Sequence, residues 1–407
     1  MTANSTEPPN APSYDRAMVG WLSLAQLITW GSVFYTFALL MEPVERELGL
    51  SRAQSSLAFS LALLAEGLLA FSLGRLIDRG HERAVMTLGS VLVAICLAAH
   101  TQVQTLSGFY AVWALMGAGL AATLYNPVFA VITRRFPREY RRAIITLTFL
   151  GGLASTVFIP LSAWLIQSLG WRDALWVLAG LNLLVCAPIH AVNLRGAPKA
   201  VPPSGPAARG ADKDLQTHLR SRTFLLVGVF VVLMMAVTAA LPAHMVSLLR
   251  ESGMSEAWAL IIPASIGLIQ VLGRLVLYFY EHRMDLHLSN RLIPILIPLG
   301  LVALLASGGQ VAAALLFVLL FGLGNGMLTI VKGTVIAEYV SRAHVASLNG
   351  ALGLPLAIAR AAAPLSLGLL WSPTAGYAWG LWGLLLASVV AVAALMLAQG
   401  FAQTERR

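Results

Sequence analysis

Charge is what this sequence has least of: 11% of its 407 residues are Asp, Glu, Lys or Arg, against 58% hydrophobic, and the mean hydropathy is +0.78. A soluble domain carries about 25% charged residues, so this chain is not built to face water on all sides. Cysteine is scarce too. The two present, Cys96 and Cys186, both fall inside apolar runs, which excludes a disulfide framework or thiolate metal site and leaves small packing residues. No glycine-rich phosphate loop occurs, so ATP hydrolysis within the chain is excluded as an energy source. The apolar runs hold no acid pair, metal-ligand cluster or activated nucleophile, and we expect neither an enzyme nor a cofactor or metal.

What is present in excess is long apolar runs. A helix needs about 20 apolar residues to cross the hydrocarbon core, and twelve such runs can be laid down, near 17–41, 52–73, 84–105, 108–132, 143–168, 173–194, 223–249, 256–280, 292–308, 311–337, 346–371 and 375–400. They predict an all-α membrane protein. Barrel strands, at about ten alternating residues, are too short to account for them.

The runs also repeat. Gly49-Leu50-Ser51-Arg52-Ala53 returns as Gly253-Met254-Ser255-Glu256-Ala257, Gly117-Ala118-Gly119 as Gly322-Leu323-Gly324, and Pro160-Leu161-Ser162 as Pro364-Leu365-Ser366, at nearly one offset. Such internal symmetry predicts two pseudo-symmetric six-helix bundles, 17–194 and 223–400, and transport as the activity. Between them, 195–222 is rich in Pro, Gly, Ala and charge and reads as a flexible linker. Residues 1–16 and 401–407 read as tails, and 1–13 lack the basic, apolar and small-residue order of a cleaved signal peptide.

Basic residues gather on the cytosolic side of membrane proteins. Placing both termini in the cytosol puts twenty of the 27 Lys and Arg there and only Arg46, Arg52, Arg172 and Arg250 opposite. The formal net charge of +9 is then explained by anionic lipid and cytosol, with no nucleic-acid partner. We expect a monomer in the bacterial cytoplasmic membrane.

After the second run the chain reads Gly74-Arg75-Leu76-Ile77-Asp78-Arg79-Gly80-His81-Glu82-Arg83. This resembles the signature loop of the major facilitator superfamily, and with twelve runs in two halves the resemblance covers nearly the whole chain. His81 and Glu82 depart from it, where the family usually has a second Gly and a basic residue. The resemblance implies a conformational latch at Gly74, Asp78 and Arg79. Gly74 would permit a tight helix exit, and Asp78 would cap a helix or pair with Arg134 or Arg135. The arginine that proton-coupled drug exporters carry in span four is absent, Trp113 standing there instead. The run Arg141-Arg142-Ala143, Gly151-Gly152, Pro160 and Gly170-Trp171-Arg172 instead resembles the monocarboxylate porter and oxalate:formate antiporter branch.

Charges left within the runs carry the functional reading, since each costs several kcal/mol in hydrocarbon and turns toward a cavity or a partner. Arg360 lies roughly 20 Å along span eleven from Ser347, near mid-bilayer; it contacts an anionic substrate or holds an interhelical partner. Oxalate-type transporters have a Lys at what looks like the same place. Gln270 and Arg274 share a helix face, Arg274 being either a substrate contact or a loop cation that snorkels. Lys332, about 10 Å before the end of span ten, has the same two options. Glu66 is the one acid well inside a span. It serves either as a proton carrier, as a buried carboxylate can, or as one side of a static ion pair.

Tyr35, Tyr125 and Asn126 are the expected polar lining, with Tyr125-Asn126-Pro127 mid-span, where proline frees a carbonyl and opens the helix. Gln26, His244, Asn325 and Asn349 are further candidates, most of them expected to be interhelical hydrogen bonds. The expected substrate is a small mono- or dicarboxylate, with proton symport, uniport and exchange all open. The alternatives are efflux of amphipathic or aromatic compounds, the cations then being structural, and a receptor or scaffold that binds without transporting.

Overall fold

A computed structural model describes residues 15–136, 139–196, 215–280, 285–341 and 344–405. The tail 1–13, the stretch Pro202 to Pro206 of the linker and the terminal Arg406 and Arg407 lie outside the described residues. Twelve long helices follow one another: α1 (Arg16–Leu48), α2 (Arg52–Leu76), α3 (Glu82–His100), α4 (Leu106–Arg135), α5 (Arg142–Leu169), α6 (Trp171–Asn193), α7 (Arg222–Glu251), α8 (Glu256–Tyr280), α9 (Leu286–Leu305), α10 (Val311–Tyr339), α11 (Val345–Leu370) and α12 (Ala378–Glu405). By length and composition eleven apolar stretches can cross a membrane, because Arg52–His100 runs together as 49 residues. Gly80 interrupts it at φ 91. That stretch is two passes, and eleven stretches make twelve helices.

Local chemistry places the breaks. Ser51 and Gln54 form a capping box that starts α2, Thr105 caps α4, Ser221 caps α7 and Asp285 caps α9, each satisfying a backbone N–H at a helix start. Gly49 at φ 64 and Gly253 at φ 83 turn the chain after α1 and after α7, a conformation that penalises any side chain. The repeated strings therefore do the same work in both halves. Gly117 of α4 would place a Cβ against the Ala62 backbone of α2, and Gly322 of α10 would place one against Ile269 of α8. In each half the glycine lets the fourth helix lie close on the second.

Each bundle buries its own apolar core. One gathers α7 to α12 around Phe230, Phe317 and Phe321; another gathers much of α1 to α6 around Phe37, Phe59 and Trp113, with Phe37 and Phe59 stacked at 4.6 Å. Twelve passes bring both chain ends out on one side, here the terminal end; the opposite side is the far end.

At the far end the two bundles touch. Arg52 of α2 pairs with Glu45 at 3.0 Å in its own half and Glu251 at 3.3 Å in the other, hydrogen-bonds the Tyr377 hydroxyl and lies over the Trp371 ring. Arg250 of α7 bonds Glu256 at 2.8 Å in its own half and Glu42 at 2.9 Å across the interface. A little deeper, buried His244 meets Tyr377 Oη at 3.1 Å, the Pro364 carbonyl at 2.9 Å and Ser56 of the other half at 3.4 Å. Toward the terminal end the space opens: a Cβ added at Gly333, Gly350 or Gly353 would meet nothing within 4 Å.

The α2–α3 loop corrects two expectations. Asp78 is exposed and it is Glu82, fully buried, that takes both arginines: Arg134 at 3.1 Å and Arg135 at 2.5 Å. The residue that departs from the family pattern is the one that makes the pair. Arg79 is exposed as well. Gly74 is also not the tight exit, for it sits within α2 with open space beside it; Gly80 makes the turn.

Candidate functional site

Between the bundles lies a cavity of about 330 Å³. Every residue expected to meet substrate lines it: Arg360, Arg274, Gln270, Tyr35, Tyr125, Asn126 and Lys332, with Glu66 and Asn325. Of the other candidates, Gln26 and His244 are buried in helix contacts, and Asn349 is exposed and bonds the Val345 carbonyl.

The wall supplied by the first half is aromatic, and two irregular helices shape it. From Trp30 to Tyr35 α1 widens into a π-helical turn, a distortion that often marks functional sites, and Trp30, Phe34 and Tyr35 all reach the cavity from it. In α4 the helix breaks at Leu124, whose backbone is extended, just ahead of Tyr125-Asn126-Pro127. Pro127 has no N–H to give the Thr123 carbonyl; the Gln26 side-chain amide donates to that carbonyl instead. Tyr125 then packs 5.2 Å from Trp30 and 5.3 Å from Phe129, ring centre to ring centre. Gly151 and Gly152 of α5 leave room, since a Cβ there would lie 2.5 Å from the Tyr125 hydroxyl and 3.0 Å from Arg274 Nη1.

The wall supplied by the second half is cationic. Arg274 sits within α8 rather than in the loop beyond it, and donates through Nη1 to the Thr148 carbonyl of α5. Arg360 of α11 reaches across the interface to Glu66 of α2, Nη2 to Oε2 at 3.4 Å, with 23% and 6% of the two side chains exposed. Lys332 is near enough to Arg360 for their charges to repel. Three formal cations thus face one carboxylate, a net +2 on the lining. An uncompensated charge at a cavity with low-dielectric walls attracts a counter-ion.

Two donors there have no partner among the described residues. Arg274 Nε and Trp30 Nε1 are both buried without a hydrogen bond. Arg274 was singled out from the sequence and Trp30 was not. Trp30 is one of 10 tryptophans, and only the π-helical turn distinguishes it. No group of three or more His, Cys, Asp or Glu able to hold a metal occurs among the described residues.

Residues 22–364 match the family profile of the Major Facilitator Superfamily. The chain is 26% identical over 324 residues to Monocarboxylate transporter 13 of Bos taurus, covering 78% of this chain and 72% of that one. It is also 26% identical over 208 residues to Multidrug resistance protein MdtL of Klebsiella pneumoniae, spanning about half of each, 50% and 51%. Among solved structures it resembles a bacterial homologue of the human lysosomal transporter Spinster in an inward-facing, occupied conformation, with a TM-score of 0.73, 17% identity and coverage of 96% and 98%. The nucleoside transporter NupG is similar at 0.72 and 16% identity, covering 94% and 98%.

Proposed function

The chain belongs to the Major Facilitator Superfamily, and on that premise we propose that it carries a small organic anion, a mono- or dicarboxylate, across the cytoplasmic membrane of a bacterium by alternating access. Bundles 17–194 and 223–400 rock about the central cavity, joined by the linker 195–222. Both termini face the cytosol, the protein works as a monomer, and it catalyses no reaction and needs no cofactor. The observation that carries this reading is the excess of cation on the cavity lining, three against one, with Arg274 Nε left unpartnered.

In this mechanism Arg360 and Arg274 clamp the anion, Lys332 adds to the field, and Gln270, Tyr35, Tyr125 and Asn126 hydrogen-bond its body. An anion neutralises cations that otherwise oppose closure, so its binding lowers the cost of sealing the cavity on both sides. Glu66 couples the cycle to protons. A substrate carboxylate takes the place of Glu66 on Arg360, and the released Glu66 accepts a proton from the open side. At the terminal end Glu82, holding Arg134 and Arg135, takes the part expected of Asp78 and braces the turn between α2 and α3.

Uptake of a panel of radiolabelled carboxylates into proteoliposomes, with and without an inward proton gradient, tests the reading. Arg360→Ala is expected to cut uptake about a hundredfold, since truncating one side of a desolvated ion pair costs about 2–5 kcal/mol. Glu66→Gln is expected to retain exchange but lose the response to the gradient. Transport untouched by Arg360→Ala would sink the anion reading. It would favour efflux of amphipathic compounds, which the aromatic wall and the similarity to the multidrug resistance protein also suit.

A further inference from the structure

The cavity is two-faced, and that narrows the ligand. Trp30, Phe34, Tyr35 and Tyr125 line the side given by α1 and α4, and the cations Arg274, Lys332 and Arg360 line the side given by α8, α10 and α11. A lactate-sized anion would satisfy the cations and leave much of the Trp30 and Phe34 ring surface uncovered. Tyr125 stacks one face on Phe129, whereas Trp30 meets Phe34 edge-on at 5.0 Å and Tyr125 at a tilt, which leaves the indole unstacked for a flat guest. On the same side the Trp30 indole N–H is buried with no acceptor.

Resting on the organic-anion reading above, we infer that the substrate is an aryl monocarboxylate carrying an oxygen on its ring or side arm: the carboxylate on Arg360 and Arg274, the ring among Trp30 and Tyr125, and the oxygen accepting from Trp30 Nε1. Stacked or edge-on ring contacts add to the burial of area. The oxygen relieves a donor that is otherwise left unmade in an apolar wall, and such unmade bonds discriminate strongly against analogues lacking the partner.

Calorimetric binding to the purified full-length protein tests this with benzoate, 4-hydroxybenzoate, butyrate and succinate. Both aryl acids are expected to bind at least about tenfold more tightly than butyrate, from ring contact beyond burial alone. In Trp30→Phe the preference for 4-hydroxybenzoate over benzoate should fall about fivefold, one hydrogen bond's worth. Tyr125→Leu, checked for a wild-type elution profile, should erase the aryl preference while leaving binding dependent on Arg360. Butyrate or succinate binding as tightly as the aryl acids would overturn the aryl assignment and leave the anion reading standing. A preference for 4-hydroxybenzoate that survives Trp30→Phe would overturn the role given to the indole. Failure of all four acids to bind wild type would overturn the anion reading itself, and this inference with it.

Discussion

The two halves of the molecule agree in their packing and disagree in their chemistry. Gly49 and Gly253 turn the chain identically, and Gly117 and Gly322 admit the same helix contact. Yet the first half gives the cavity a row of rings and one carboxylate, and the second gives it three cations. A duplicated scaffold is constrained wherever backbone approaches backbone, because there only glycine fits. The cavity lining carries no such constraint and is free to diverge until the two walls recognise opposite ends of one guest.

The packing side of the comparison breaks hardest. Gly117→Leu and Gly322→Leu should each abolish monodisperse protein on size-exclusion chromatography, since a side chain at either position collides with the neighbouring helix and overpacking of a close contact costs about 1–3 kcal/mol or more. If one tolerated leucine and the other did not, the equivalence of the halves would fail. A smaller effect belongs to Gly152→Val, which pushes on Arg274 from the first half. Folding should survive while uptake falls about tenfold, the scale of misplacing one positioned group; unchanged uptake would detach Arg274 from the site. Smaller still is the effect of Arg250→Gln at the far end, where partial exposure and salt screening weaken each ion pair to about 1 kcal/mol; uptake should change by only a few-fold, and less at high salt. Arg52→Gln, at a buried side chain held by Glu45, Glu251 and Tyr377, should cost more and respond little to salt. Equal, salt-sensitive effects of the two would show that burial does not distinguish the far-end contacts.

The sequence made the twelve helices legible because membrane helices announce themselves by length, and one pass was obscured only in the apolar count, where Arg52–His100 runs through the loop at Gly80. Arg360, Arg274, Lys332 and Glu66 were legible for a related reason: a charge inside an apolar run has few places to go. What could not be read were pairings between distant residues. Glu66 and Arg360 stand 294 positions apart, and their contact joins the interhelical partner offered for Arg360 to the ion pair offered for Glu66. His244, a candidate in a group mostly expected to make interhelical hydrogen bonds, makes them with Tyr377, Pro364 and Ser56, partners that no local pattern names. Glu82 was read as a departure from a motif, although its partners Arg134 and Arg135 lie at the end of the next helix. Local pattern gives position along a helix; it does not say which neighbour the fold brings.

At the far end each arginine that crosses the interface also has a carboxylate in its own bundle, Glu45 for Arg52 and Glu256 for Arg250. When the bundles part there, neither cation is stranded, because each departs with its escort; Arg52 gives up Glu251, the Tyr377 hydroxyl and the Trp371 ring, and Arg250 gives up Glu42. The charges handed to water are the two released carboxylates, Glu42 and Glu251, which are already partly exposed before the bundles part.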